Sequence, residues 1–361
     1  MALSFRHNID HVHEEAVNFL RRLIEIPSLS REEDKTADLL EEYLKKNDVD
    51  THRKGNNVWA YNKHYDALKS CVLLNSHHDT VKPNQGYTLD PYLAILKDDK
   101  LYGLGSNDAG GALVSLLFTF LYLYHVENMT YNLVFAATAE EEISGENGVS
   151  SILAEIENIA FGIVGEPTEM EMAIAEKGLM VLDCYSYGKS GHAARDEGEN
   201  AIYKAIKDIE WFKSYAFDKV SEHLGTVKMS VTMIKSGYQH NVVPDECHFV
   251  VDVRGTDAYT NEQMLEIIRE NVSVEVKERS TRLQPSFIDK EHVMLKAADT
   301  LRFSVYGSPT LSDQALMNFP TVKIGPGLSA RSHTADEFIH VSEIRDGITG
   351  YLALLNKILK S

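Results

Sequence analysis

The run Cys71-Val72-Leu73-Leu74-Asn75-Ser76-His77-His78-Asp79 decides how this chain folds. It begins with four consecutive apolar residues and ends on two imidazoles and a carboxylate. A short segment that is apolar at every position, rather than at alternate ones, reads as a strand buried on both faces, as in a parallel sheet covered by helices. In open sheets of that kind ligands bind beyond the carboxyl ends of the strands, where His77, His78 and Asp79 fall.

The same arrangement recurs downstream. Asn132 to Thr138 is followed by Glu140, Glu141 and Glu142, and Phe161 to Val164 is followed by Gly165-Glu166-Pro167-Thr168. Helical stretches separate these runs, Ala109 to Tyr124 and another near Gly148 to Ile156. Upstream, Val12, Ala16, Val17, Leu20, Leu23 and Ile24 recur at helical spacing and stop at Pro27. Ser30 and Glu33 have the spacing of a capping box ahead of Ala37, Leu40 and Leu44.

From Leu179 the order changes. Leu179 to Tyr187 reads as a strand, Asn200 to Phe212 as a helix, Thr226 to Ile234 and Cys247 to Arg254 as strands, Glu262 to Glu270 as a helix and Val272 to Lys277 as a strand. This β-α-β-β-α-β order is that of a ferredoxin-like unit. After about Pro285 the first pattern resumes, with a helix from Glu291, a strand Thr321 to Ile324 and a closing helix on Ile344, Ile348, Leu352, Leu355 and Ile358. The expected fold class is α/β. A catalytic domain with a mostly parallel sheet occupies 1–177 and 284–361, and a ferredoxin-like α+β lid is inserted at 178–283.

Composition narrows the function. With 361 residues, 43% hydrophobic and 25% charged, the chain is an ordinary globular protein of about two domains. Its formal net charge of -18 repels phosphate backbones and anionic membrane surfaces, so neither nucleic acid nor membrane is an expected partner. Cys71, Cys184 and Cys247 form no Cys-x-x-Cys pair and read as buried thiols of a reducing cytoplasm. Met1 to Glu15 lacks the apolar region of a signal peptide. The longest apolar stretch, Ala112 to Tyr124, falls short of the ~20 residues of a membrane span and reads as a buried helix.

Two further segments bear on chemistry. Asp108 sits in the glycine-rich Gly103-Leu104-Gly105-Ser106-Asn107-Asp108-Ala109-Gly110-Gly111, and His333 in Arg331-Ser332-His333-Thr334. Imidazole and carboxylate are zinc ligands, and one carboxylate can bridge two ions ~3.5–4 Å apart. A lone histidine or an acidic run is ordinarily a solvated surface feature. Several of them at the ends of successive strands are hard to explain as accident. The pair Gly103-x-Gly105 also hints at a dinucleotide site, but its third position is Asp108, whose charge repels a pyrophosphate. An oxidoreductase is therefore disfavoured.

Taken in order, His77-x-Asp79, Asp108-x-Gly110-Gly111, Glu140-Glu141, Gly165-Glu166-Pro167-Thr168, Lys177-Gly178, Ser190-Gly191-His192-Ala193, Asn241-Val242-Val243-Pro244 and His333-Thr334 resemble the M20 metallopeptidase family. That family includes acetylornithine deacetylase, succinyl-diaminopimelate desuccinylase and carboxypeptidase G2-like enzymes. The resemblance implies a zinc-hydrolase catalytic domain with a lid that also serves dimerisation, and two zinc ions for which cobalt can substitute. It makes His77 and Glu166 ligands of one ion, Glu141 and His333 ligands of the other, and Asp108 the bridge. Asp79 would orient the His77 ring. Glu140 would be the general base, and His192 an oxyanion donor acting across a homodimer interface. Arg254 would pair with a substrate carboxylate and Asn241 contact substrate. From spacing alone, Arg254 reads equally as an exposed strand arginine, Asn241 as a turn residue before Pro244 and His192 as a turn histidine. His78 and Glu142 read as structural or solvated. Many relatives have Met-Lys after the bridging aspartate where this chain has Ala109-Gly110.

The implied reaction removes an N-acyl group from a small amino acid, first N-acetylornithine, then N-acetyl- or N-succinyl-citrulline and N-succinylornithine, in arginine biosynthesis. Succinyl-diaminopimelate desuccinylase, acetyl-lysine deacetylase and dipeptidase remain open within the family. A metal-binding scaffold without catalysis is the reading outside enzymes.

Overall fold

Every residue of the Cys71–His77 strand is buried. The strand lies at the centre of a sheet, flanked in parallel by Asn132–Thr138 and Ile159–Val164. The computed structural model describes residues 9–195 and 197–360. They divide into two compact units. The first holds the described residues up to Ile174, then Ile288–Tyr306 and those from Ser312 onward; the second holds Ala175–Phe287 with Gly307–Leu311.

In the first unit, side chains alternate along the central strands. Val72, Leu74, Leu133, Phe135 and Ala137 join a large core with Phe19, Leu40, Phe118 and Tyr351. Cys71, Leu73, Val134 and Ala136 join a smaller one with Trp59, Ile152 and Ile156. Both faces are thus covered, which is why these strands carry no polar alternation. Thr321–Lys323 continues the parallel set beside Ile159–Val164. The flanks are antiparallel, with Asn57–Tyr61 on Asn132–Thr138 and His52–Lys54 outside it. Truncating a side chain such as Leu73, which has no exposure, removes contacts on a closed face and costs about 2–5 kcal/mol.

The helix Gly111–Leu123 forms the crossover between Cys71–His77 and Asn132–Thr138 and is buried on nearly all sides, so it has no polar face. It starts two residues later than the sequence suggests. Ser106–Gly110 form one wide turn ahead of it, in which Asp108 has non-helical backbone angles. The proposed capping box does not form. The helix Asp34–Lys46 has no side-chain cap, the Glu33 carboxylate accepts from the Arg31 and Glu140 N–H groups and the Asn56 amide, and the Ser30 hydroxyl donates to Asp79.

In the second unit four antiparallel strands run in the spatial order Lys228–Ser236, Glu246–Gly255, Gly178–Tyr187, Glu275–Glu278. Gly178–Tyr187 alternates buried and half-buried residues. Its Met180, Leu182 and Cys184 face a core made with Ala205 and Phe212 of Ala201–Ser214, Met264 and Ile268 of Asn261–Asn271, and Phe249. One sheet face is therefore covered by helices, as period-two patterning requires. All three cysteines are free and buried. No described helix is long and apolar enough to cross a membrane.

Candidate metal centre

His77 ends the central strand with its ring 1% exposed. Its Nδ1 lies 3.0 Å from the Asp79 carbonyl oxygen, to which it donates, and 3.4 Å from Asp79 Oδ1. The other ring nitrogen, Nε2, is buried and has no hydrogen-bond partner. It faces Asp108 Oδ1 at 3.4 Å, Glu166 Oε1 at 3.8 Å and Glu141 Oε2 at 3.9 Å. Nε2 makes no hydrogen bond across these gaps. They suit ligands around an ion, since two atoms each about 2.1 Å from a tetrahedral centre lie about 3.4 Å apart.

The other oxygen of Asp108, Oδ2, faces His333 Nε2 at 3.6 Å, and His333 Nε2 contacts Glu142 Oε2 at 3.0 Å. Ligand atoms of His77, Asp108 and Glu142 converge, as do those of His77, Glu141 and Glu166. A buried imidazole nitrogen without a partner inside a ring of carboxylates is what a divalent cation satisfies, so the residues fit a metal.

The local electrostatics express the same demand. Burial drives the Glu141 carboxyl well above its ordinary range and pushes Glu166 up to about 8. Burial opposes a charged His77 ring, yet the carboxylates of Asp108 and Asp79 carry it well above the usual histidine range. The hydrogen bond that the His333 ring donates to the Glu142 carboxylate lifts His333 to about 9. A bound cation would replace these protons.

Asp79 does more than orient His77. Its Oδ1 accepts from the Glu141 N–H at 3.1 Å, and its Oδ2 from the Glu142 N–H at 3.2 Å and the Ser30 hydroxyl at 2.7 Å. It thereby joins the histidine strand to the acidic turn. The structure does not bring Glu140 to the cluster. Glu140 adopts a left-handed backbone (φ 57°), and its carboxylate accepts from the Asn147 side chain at 3.0 Å and the Asn147 N–H at 3.4 Å. Glu142, read from sequence as solvated, stands in the cluster instead. The acidic triplet contained this information, but choosing among three consecutive carboxylates requires knowing where the strand stops and the turn begins.

Two buried acids carried no sequence signal. Glu337 accepts the N–H groups of Gly105, Asn107 and Asp108 at 3.0, 2.8 and 2.9 Å, and burial pushes its carboxyl up to about 7. Asp313 accepts from the Thr138 hydroxyl at 2.9 Å, and burial raises it to about 7 as well.

His192, Asn241 and Arg254 belong to the second unit. His192 pairs with Val242 in a short bridge and is exposed, and its Nδ1 accepts from the Ala194 N–H at 3.1 Å, which places the ring proton on Nε2. The Asn241 Oδ1 is buried and unpartnered. Arg254 is held by Asp252, two residues back on the same strand, through Nε and Nη2 at 2.9 and 3.1 Å.

The chain is 27% identical over 353 residues to a [LysW]-lysine/[LysW]-ornithine hydrolase of Sulfurisphaera tokodaii, covering 94% of each. It is 25% identical over 296 residues to an acetylornithine deacetylase of Myxococcus xanthus, covering 76% of this chain and 77% of that one. In fold it is similar to the Bacillus subtilis YXEP protein, a dinuclear metal binding peptidase, with a TM-score of 0.74 at 16% identity over 97% of this chain and 99% of that one. The model of peptidase family M20/M25/M40 matches residues 73–357, so the chain belongs to that family.

Proposed function

We propose that the protein is a two-zinc amidohydrolase that removes the acyl group from an N-acyl amino acid, with N-acetylornithine as the leading substrate. One observation carries the two-ion reading: Asp108 turns one oxygen to His77 and the other to His333. His77 and Glu166 would hold one ion and Glu142 and His333 the other, with Asp108 shared between the two. On this reading the ligand and base roles within the acidic triplet fall one residue further along than the sequence suggested. Glu142 takes the ligand role, Glu141 the general-base role, and Glu140 anchors the turn through Asn147.

When bound, such ions acidify a water molecule and polarise the acyl carbonyl. Glu141 accepts the proton of the attacking water and delivers it to the departing amine nitrogen. Asp79 keeps the His77 lone pair turned inward and fixes the backbone of Glu141. His192 is proposed as an oxyanion donor through Nε2, from the partner subunit of a homodimer, and Arg254 and Asn241 as substrate contacts. Arginine biosynthesis in the cytoplasm is the proposed setting, supported by relatives named for ornithine derivatives.

The test compares Glu140→Ala, Glu141→Ala and Glu142→Ala in zinc-loaded protein with N-acetyl and N-succinyl forms of ornithine, citrulline, lysine and diaminopimelate, reading free amine and metal content. Glu141→Ala should keep two ions and lose roughly 10²–10⁴ in rate. Glu142→Ala should lose one ion. If Glu140→Ala stops turnover with its metals intact while Glu141→Ala loses one, the roles lie one residue earlier; no hydrolysis of any compound by the wild type would remove the deacylase reading.

A further inference from the structure

We infer that Glu337 is a positioning residue that creates the seat of the second ion by fixing where Asp108 stands relative to His333; this rests on the two-ion reading above. Glu337 is 2% exposed. A buried carboxylate is unfavourable unless its oxygens are paired, and here both are paired with backbone rather than with a cationic side chain. Oε1 accepts from the N–H groups of Asn107 and Asp108, and Oε2 from that of Gly105. The donors lie 229 to 232 residues away in sequence, in the turn that carries the bridging carboxylate.

That turn has little else to define it. Gly105 sits at a left-handed φ of 73°, Asp108 is non-helical, and the turn's own backbone supplies the Gly110 N–H to Gly105 carbonyl bond. Glu337 lies four residues after His333, and Asn107 ties the turn to the segment ahead of that histidine through Leu328, accepting its N–H at 3.0 Å and donating to its carbonyl at 3.1 Å. The bridging carboxylate and the exposed, 54%-accessible His333 side chain are therefore set against each other by one buried acid and one amide. The neighbouring Asp336 performs a separate task, accepting from Thr88 and Leu89 in an exposed loop.

The first seat is defined differently. His77 stands on a fully buried strand, held by Asp79, so it does not depend on Glu337. A glutamine at position 337 has the same shape but turns an NH2 group against one set of N–H donors, and the turn must move away. The ion between Asp108, Glu142 and His333 should then be weakened selectively.

The experiment titrates metal-free full-length protein with Zn2+ by calorimetry and with Co2+ by visible absorption, and counts metal per chain after dialysis. The wild type and Asp336→Asn should bind two ions. Glu337→Gln should keep the first ion and its cobalt spectrum, and bind the second 10–100-fold more weakly, the usual loss when a residue supporting a ligand is removed. Equal binding of both ions by Glu337→Gln and wild type overturns the inference. So does equal weakening of both ions, which would make Glu337 a general prop of the fold. If Glu337→Gln does not fold, Asn107→Asp, which loses the donor to Leu328, must weaken the second ion alone, and unchanged binding by that variant overturns the inference. A wild type that binds a single ion fails the two-ion reading itself, an outcome visible before any variant is made.

Discussion

At His77 the placement of one ring proton decides what the cluster can hold. With Nδ1–H given to the Asp79 carbonyl, Nε2 faces three carboxylates, and a divalent cation that displaces its proton satisfies all four groups. Elsewhere the same residue types form a closed arrangement. Asp183 in the second unit accepts from His248 Nε2 at 2.8 Å and from Arg279 Nε and Nη2 at 2.8 and 3.1 Å, so both of its oxygens are met by donors. The Arg279 hydrogen bond holds the Asp183 carboxyl down at about 2. A carboxylate whose folded value is depressed stabilises the fold above its unfolded value, about 3.9, and loses that contribution as pH falls toward 2. Urea unfolding of wild type and Asp183→Asn should therefore differ by roughly 1 kcal/mol near pH 6, a modest figure because Arg279 is solvent-exposed. The difference should shrink between about pH 4 and pH 2. A gap that stays constant over that range would mean Asp183 acts through packing rather than charge.

The element that most separates sequence from structure is the turn Ser106–Gly110 with the helix behind it. The apolar run Ala112 to Tyr124 made the helix legible, and the central strands were legible because burial on both faces writes itself as unbroken apolar sequence. His77, Asp108, Glu166 and His333, whose side chains the structure brings together, could be singled out as candidates because they follow those strands or stand in motifs resembling those of the M20 family. Glu337 was not, since its partners are backbone N–H groups that any residue supplies. The Glu140–Glu142 register was not either, because it depends on a left-handed backbone at Glu140 and a close approach of Gly145, where an added Cβ would sit 1.9 Å from Glu140 Oε2. The departure at Ala109-Gly110 now has a packing reason. A Cβ on Gly110 would lie 2.4 Å from the Gly105 carbonyl oxygen and 2.6 Å from Leu20 Cδ1, so the turn and the Ile9–Ile24 helix demand a glycine there. Gly110→Ala should cost about 1–3 kcal/mol in thermal unfolding of the metal-free protein. An unchanged midpoint would show that the turn yields without penalty.

Across the whole molecule, a net charge of -18 surrounds a site that is itself acidic, so an anionic substrate can approach only once metal ions and local cations reverse the field. Within the first unit the described ligands supply seats for ions but few donors for a developing oxyanion, and the candidate donor, His192, stands on the second unit. Its Nε2 carries the proton and its ring is exposed, the state required of a donor that serves a site formed with another copy of the chain. Loss of one oxyanion donor costs about 10²–10³ in rate. Glu141→Ala and His192→Ala are therefore each expected to be nearly inactive while retaining metal. Mixed under conditions that exchange subunits, the two variants place an intact Glu141 and an intact His192 at one of the two sites of each heterodimer if the histidine acts across a two-fold interface. Each heterodimer should then recover about half the wild-type activity. If His192 serves its own chain, every site keeps one defect and the mixture stays inactive, and native mass spectrometry showing heterodimers in that inactive mixture would exclude action across the interface. A protein that remains monomeric at assay concentration would exclude it more simply, and would leave the metal ligands and Glu141 as the residues on which catalysis rests.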